Sequence, residues 1–185
     1  MIDLAKATLA FSELIVAVEG KDTREDLLET PLRAARGYAE MLDGYDTDIE
    51  SLFKTFEDEG TDQIVVVRNI EFTSFCEHHL LPWHGKAFVA YLPVNSVIGI
   101  SKIGRLVLAY AHRFTLQERL TKEVAYTLMN KLQPLGVAVV VIGEHTCMRC
   151  RGANLPESSV ATSEMLGNFR DDPILRPEVM DLLGV

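Results

Sequence analysis

The chain is short of several things. It has only three cysteines and one tryptophan in 185 residues. Three thiols are too few for a disulfide framework, so reduced thiols and a cytoplasmic setting are expected. No apolar stretch approaches the roughly 20 residues of a membrane span, and no transmembrane helix is expected. The N-terminus, Met1-Ile2-Asp3-Leu4-Ala5-Lys6, lacks a basic start and an unbroken apolar core, which speaks against a signal peptide. Positive charge is scarce as well. With 18 Lys and Arg against 27 Asp and Glu the net charge is −9, which argues against a general nucleic-acid surface. A local basic pocket for a small phosphorylated ligand remains compatible with that balance. Internal repeats, low-complexity segments and a flexible interdomain linker are also missing. What remains, 48% hydrophobic and 24% charged, is the composition of one globular functional domain.

The pattern reads as an N-terminal helical region over residues 1–60 and a mixed α+β region over 61–185. Residues 2–19 carry Leu4, Phe11, Leu14, Ile15 and Val18 on one helical face, and Gly20 ends that helix. A second helix is expected from Asp22-Thr23 to Leu42, with Pro31 as a restart or kink. Residues 46–56 read as a short helix and 57–62 as an acidic connector. From Gln63 to Phe75 the period changes to strand-like alternation, and Lys86–Leu92 reads as its antiparallel partner. Ser101 is a natural N-cap for a helix whose core side is Ile103, Leu106, Val107 and Tyr110. A longer helix over 116–132 has Leu116, Leu120, Val124, Leu128 and Leu132 at i+4 spacing, a core stripe. Val137–Ile142 is a buried strand and Ser158–Leu166 a last one. Asp172-Pro173 and Pro177 introduce a short C-terminal helix ending near Leu183.

Chemistry gathers at two strand ends. Residues 74–84 hold Cys76 and three of the five histidines, His78, His79 and His84. Cys76 and His79 have the C-x2-H spacing that lets one turn offer a thiolate and an imidazole to one metal ion. The second cluster is His145, Cys147, Arg149, Cys150 and Arg151. Cys76 and His79 with one of Cys147 or Cys150 would make a three-ligand site with an open position. All four would close a structural site. Spacing leaves both open, although His78 and His145 beside the ligands have no use in a purely structural site. Lys102 and Arg105, one turn apart near a helix N-terminus, suit an anionic substrate together with Arg149 and Arg151. Gln117 and Glu118 could read the edge of a polar heterocycle. Arg33 and Arg36 share a helix face that, taken alone, is a solvated one. Zinc with an open position makes a nucleophile available near pH 7, and histidines titrate in that range. Zinc-dependent hydrolysis of a small anionic substrate, such as a nucleotide, is the chemical expectation.

The runs Cys76-Glu77-His78-His79, Gly85-Lys86-Ala87, Val97-Ile98-Gly99-Ile100-Ser101-Lys102, Gln117-Glu118-Arg119-Leu120-Thr121 and His145-Thr146-Cys147-Met148 with Arg151-Gly152 resemble the GTP cyclohydrolase I family. Thr30-Pro31 with Arg33-Ala34 extends the match, which spans about residues 23–183. The resemblance implies the tunnelling fold (T-fold): an antiparallel β-sheet with helices packed on one face, an N-terminal helical extension, and a toroidal homodecamer of two pentamers with active sites between subunits. It implies conversion of GTP and water to 7,8-dihydroneopterin triphosphate and formate, the first step of tetrahydrofolate or other pterin biosynthesis. It makes Cys76, His79 and Cys147 the ligands of one zinc ion per subunit and leaves Cys150 out. Those co-ligands would then lie close enough to form a disulfide when the metal is lost. His145 is implied as a proton donor near purine N7, His78 as an aid to proton transfer, and Ser101 as acting near the ribose. Gln117 and Glu118 would anchor guanine. Lys102, Arg105 and Arg151 would clamp the triphosphate, with Arg33 and Arg36 joining from a neighbouring subunit. Two residues depart from the family pattern, Thr115 and Cys150. The alternative from a different class is a non-catalytic, zinc-stabilised T-fold protein that binds a pterin or nucleotide.

Overall fold

In a computed structural model, which describes residues 2–21, 24–57, 62–94 and 96–185, the first element is α1 (Leu4–Glu19). The Asp3 carboxylate caps it by accepting the Lys6 N–H at 3.0 Å. None of its residues is buried. It lies along α2 (Thr30–Met41), where Phe11 meets Tyr38 edge-on at 5.0 Å. Pro31 opens α2 and does not kink a longer helix, because in the first turn its missing N–H has no partner to lose. The expected start at Asp22-Thr23 lies outside the described residues, and a 3-10 turn at Glu25–Leu27 precedes the helix.

The short helix expected over 46–56 does not form. Two 3-10 turns, Asp43–Tyr45 and Glu50–Leu52, lead into a strand, β1 (Thr55–Glu57). Of the expected acidic connector, residues 58–61 lie outside the described residues. Next come β2 (Val65–Cys76) and β3 (Pro82–Leu92), an antiparallel hairpin with Val65 opposite Tyr91 and Phe75 opposite Pro82. Its register shifts between Val67 and Ile70, where Asn69 takes φ 57°, a left-handed conformation that asparagine tolerates well. The short β4 (Ser96–Ile98) pairs with β1.

The chain continues through α3 (Ile100–Ala111), β5 (Phe114–Thr115), α4 (Gln117–Leu132) and β6 (Gly136–His145). It ends with α5 (Thr146–Arg149), β7 (Val160–Gly167), α6 (Asn168–Asp171) and α7 (Leu175–Leu183). The five-stranded sheet has the order β5-β2-β3-β6-β7, antiparallel except for the short parallel pairing of β5 with β2.

Alternation along β3 decides which side chains meet which helices. Ala87, Val89 and Tyr91 join Val137, Val139 and Val141 of β6 against Ile103 and Leu106 of α3 and Leu120, Val124 and Leu128 of α4. Phe88, Ala90 and Leu92 face the other way, to Phe169 of α6 and Val179 and Leu183 of α7. Helices α3 and α4 therefore cover one face, as expected, and the short C-terminal helices α6 and α7 cover part of the second. A strand buried on both faces does not alternate, which is why residues 137–142 read as one apolar run. No described helix is long and apolar enough to cross a membrane.

Candidate metal centre and active site

The β2–β3 connection is a tight turn built from the backbone of Cys76. Its N–H donates to Leu81 O at 3.0 Å, and its carbonyl accepts from Leu80 N at 2.8 Å and His79 N at 3.3 Å. Leu80 takes the left-handed conformation, φ 54°, that closes the turn. Tyr38, stacked on Phe75 at 4.6 Å, donates its hydroxyl to Leu80 O at 3.1 Å and fastens the turn to α2. The geometry brings Cys76 Sγ to 3.4 Å from His79 Nδ1.

The β3–β6 register supplies the third member. Trp83 lies opposite His145, so α5, which starts at the next residue, sits beside the turn. The Thr146 hydroxyl donates to Pro82 O and pins that corner. The ligand atoms of Cys76, His79 and Cys147 all lie within 4.8 Å of one another, a group that could hold a metal ion. Cys150 is not part of it: the thiol is exposed and donates to Thr146 O at 2.8 Å within its own turn. Among the described residues the group has these three members. Burial, followed by the neighbouring Cys76, pushes the Cys147 thiol above its ordinary range, with Arg151 acting the other way.

His145 stands at the end of β6, half-buried, its ring stacked on the Trp83 indole at 4.5 Å and 14°. Burial lowers its pKa from the usual histidine value, and the Glu118 charge opposes that shift. Its Nε2 lies 2.9 Å from Gln117 Oε1. The Gln117 side chain is buried, and its amide nitrogen is engaged inside the chain by Val141 O, Val160 O and Thr162 Oγ1 at 2.9–3.2 Å. As the first residue of α4 it points into the sheet, while Glu118 faces solvent.

The remaining predicted residues are on the surface. His78 is exposed in the Cys76 turn. Ser101 is exposed in the first turn of α3 but does not cap it: the N-cap is Gly99, and no side chain takes that role. Lys102, Arg105 and Arg151 have no ion-pair partner among the described residues. Arg36 is likewise unpaired among the described residues, whereas Arg33 pairs with Glu29. Arg149 is taken by Glu144. Sequence reasoning assigned no role to Trp83, to Tyr38, or to the two-bond ion pair of Arg119 with Glu77 that ties the turn to α4. An aromatic within a histidine-rich run was the one available signal for Trp83.

The chain matches the family profile described as GTP cyclohydrolase I over residues 7–184. It belongs to the GTP cyclohydrolase I family. The GTP cyclohydrolase 1 of Caldanaerobacter subterraneus subsp. tengcongensis is 46% identical over 185 residues, covering 100% of this chain and 98% of that protein. The GTP cyclohydrolase 1 of Rhodopirellula baltica is 47% identical over 184 residues, 99% of this chain and 80% of that protein. Among solved structures, the apo form of the archaeosine synthase QueF-Like aligns with a TM-score of 0.48 at 18% identity, covering 60% of this chain and 97% of that one. As a GTP cyclohydrolase I family member, the chain carries the family's α+β architecture of a curled antiparallel sheet with packed helices.

Proposed function

We propose that this chain catalyses the GTP cyclohydrolase I reaction, hydrolysing and rearranging GTP to 7,8-dihydroneopterin triphosphate and formate, with one zinc ion per subunit on Cys76, His79 and Cys147. The observation that carries the reading is that group of two thiols and an imidazole, with His145 two residues from one of them, in a chain that matches the family over nearly its whole length. The donor set suits the metal. Sulfur and nitrogen ligands of a tetrahedral zinc, at about 2.3 and about 2.0–2.1 Å, lie about 3.6 Å apart. The Cys76 Sγ to His79 Nδ1 separation of 3.4 Å is close to that. When bound with an open position, zinc supplies Lewis acidity and a nucleophile near neutral pH.

The chain's own residues then have distinct tasks. His145, whose pKa burial lowers, supplies a proton near N7 of the purine that it recovers from solvent water between turnovers. His78, exposed in the same turn, serves proton exchange with solvent as the rings open. Ser101 acts near the ribose, and Glu118 accepts hydrogen bonds from the guanine edge. Lys102, Arg105 and Arg151 hold the triphosphate, and Arg33 and Arg36 reach it from a neighbouring subunit of a decamer. The test is incubation of the zinc-loaded protein with GTP, following formate and the ultraviolet absorbance of a dihydropterin. Both products are expected from the parent and neither from His145→Ala. GTP binding without formate, with zinc or ferrous iron, would instead favour the non-catalytic binding protein.

A further inference from the structure

Gln117 has one acceptor and one donor group, and the structure determines which way round they lie. Its amide nitrogen is 3.0 Å from Val141 O and 2.9 Å from Val160 O. Both are backbone carbonyls, which can only accept. A flipped amide would set Oε1 against two carbonyl oxygens, with no proton between acceptor and acceptor. The third neighbour agrees. The Thr121 hydroxyl donates to Gln117 O at 2.8 Å, so in the 2.6 Å contact between Thr121 and Thr162 the proton belongs to Thr162. Thr162 Oγ1 is then an acceptor for the amide nitrogen at 3.2 Å. Oε1 is left to face His145 Nε2 at 2.9 Å, and an amide oxygen cannot donate. His145 Nε2 must therefore carry a hydrogen, in the neutral ring and in the cation alike.

The ring plane is constrained as well. Trp83 lies almost parallel beneath it, at 14°, and does so with its own buried indole N–H left without a partner among the described residues. Gly143 makes room for both supports: a Cβ there would stand 2.5 Å from Gln117 Oε1 and 2.7 Å from Trp83 Cζ3. The other ring nitrogen, Nδ1, has no hydrogen bond among the described residues.

We propose that Gln117 is a positioning residue, not a purine contact: with Trp83 it fixes the plane of the His145 ring and engages Nε2 through Oε1, which leaves Nδ1 as the ring nitrogen turned away from that bond. The inference rests on the reading of the site as a GTP-hydrolysing centre only for the identity of the substrate. Its test has two arms. Solid-state nitrogen-15 NMR of histidine-labelled, zinc-loaded protein, with His145 identified by its loss in His145→Ala, should show Nε2 protonated and hydrogen-bonded with no Nδ1–H population. Steady-state kinetics of Gln117→Leu should show kcat reduced by about 10- to 100-fold, with KM for GTP and zinc content within about twofold of the parent. A protonated Nδ1 with a bare Nε2 in the parent overturns the proposal whether or not the protein turns over GTP. A rise in KM at unchanged kcat, or no kinetic change, also overturns it. If the parent forms no formate, the activity reading fails while the NMR arm still decides the tautomer.

Discussion

Cys76 and Cys147 are neighbours that cannot both carry charge cheaply in a metal-free protein. Burial raises the Cys147 thiol first, and the adjacent Cys76 raises it further. A raised thiol keeps its proton at neutral pH, so a metal ion must displace it on binding. Zinc affinity should accordingly weaken as pH falls from 8 to 6, by about tenfold per unit for each proton displaced. Competition against a chromophoric chelator measures this, and a pH-independent affinity would contradict it. Without the metal, the same proximity makes the pair oxidisable. Chelated, air-exposed protein should gain a Cys76–Cys147 disulfide, with two thiols oxidised by dioxygen, and intact-mass measurement finding only free thiols would rule that out. Cys150, bonded to Thr146 O in its own turn, should stay reduced in the same sample.

At the level of elements, the metal turn is braced through a chain of contacts that starts far upstream. The 3-10 turn at Asp43–Tyr45 is stapled to the corner between α3 and β5: Arg113 donates twice to Gly44 O at 2.9 and 3.1 Å, and Phe114 N donates to Tyr45 Oη at 3.1 Å. β5 in turn offers Thr115 O to the Glu77 N–H, next to Cys76. Gly44 is the tightest point, since a Cβ there would meet Ala109 O and lie 2.7 Å from His112 O, both rigid backbone atoms. Gly44→Ala should cost about 1–3 kcal/mol as overpacking, and so lower Tm by roughly 3–10 °C. An unchanged melting curve would show that the corner can yield. Sequence periodicity had no access to this link, because its partners are 69 residues apart. It did find α4, whose Leu120, Val124 and Leu128 are fully buried at the expected spacing.

For the whole molecule, α1 poses the question of assembly. A 16-residue helix with no buried residue leaves Leu9, Leu14 and Val18 more than half exposed. Such a helix gains little from folding onto one chain, and apolar surface of this kind normally meets another. The proposed decamer, ten chains of 20.6 kDa each, would provide that partner. Leu14→Glu should shift sedimentation towards smaller species and, if Arg33 and Arg36 act across subunits, raise KM for GTP. An unchanged sedimentation coefficient would separate α1 from assembly.

What the sequence determined by itself is what depends on neighbours along the chain. Strand and helix periods, the C-x2-H pair of Cys76 and His79, and the recurrence of cations near a helix start are local properties. They located both clusters and placed most elements within a few residues. Spacing alone leaves Cys147 and Cys150 equivalent; in the tertiary structure the β3–β6 register brings Cys147, and not Cys150, to the Cys76 turn. The tertiary structure likewise turned Gln117 inward and Glu118 outward, although both open the same helix. The polar groups that need Gln117 belong to β6 and β7, and their demand for a donor arises only when those strands pair beside α4.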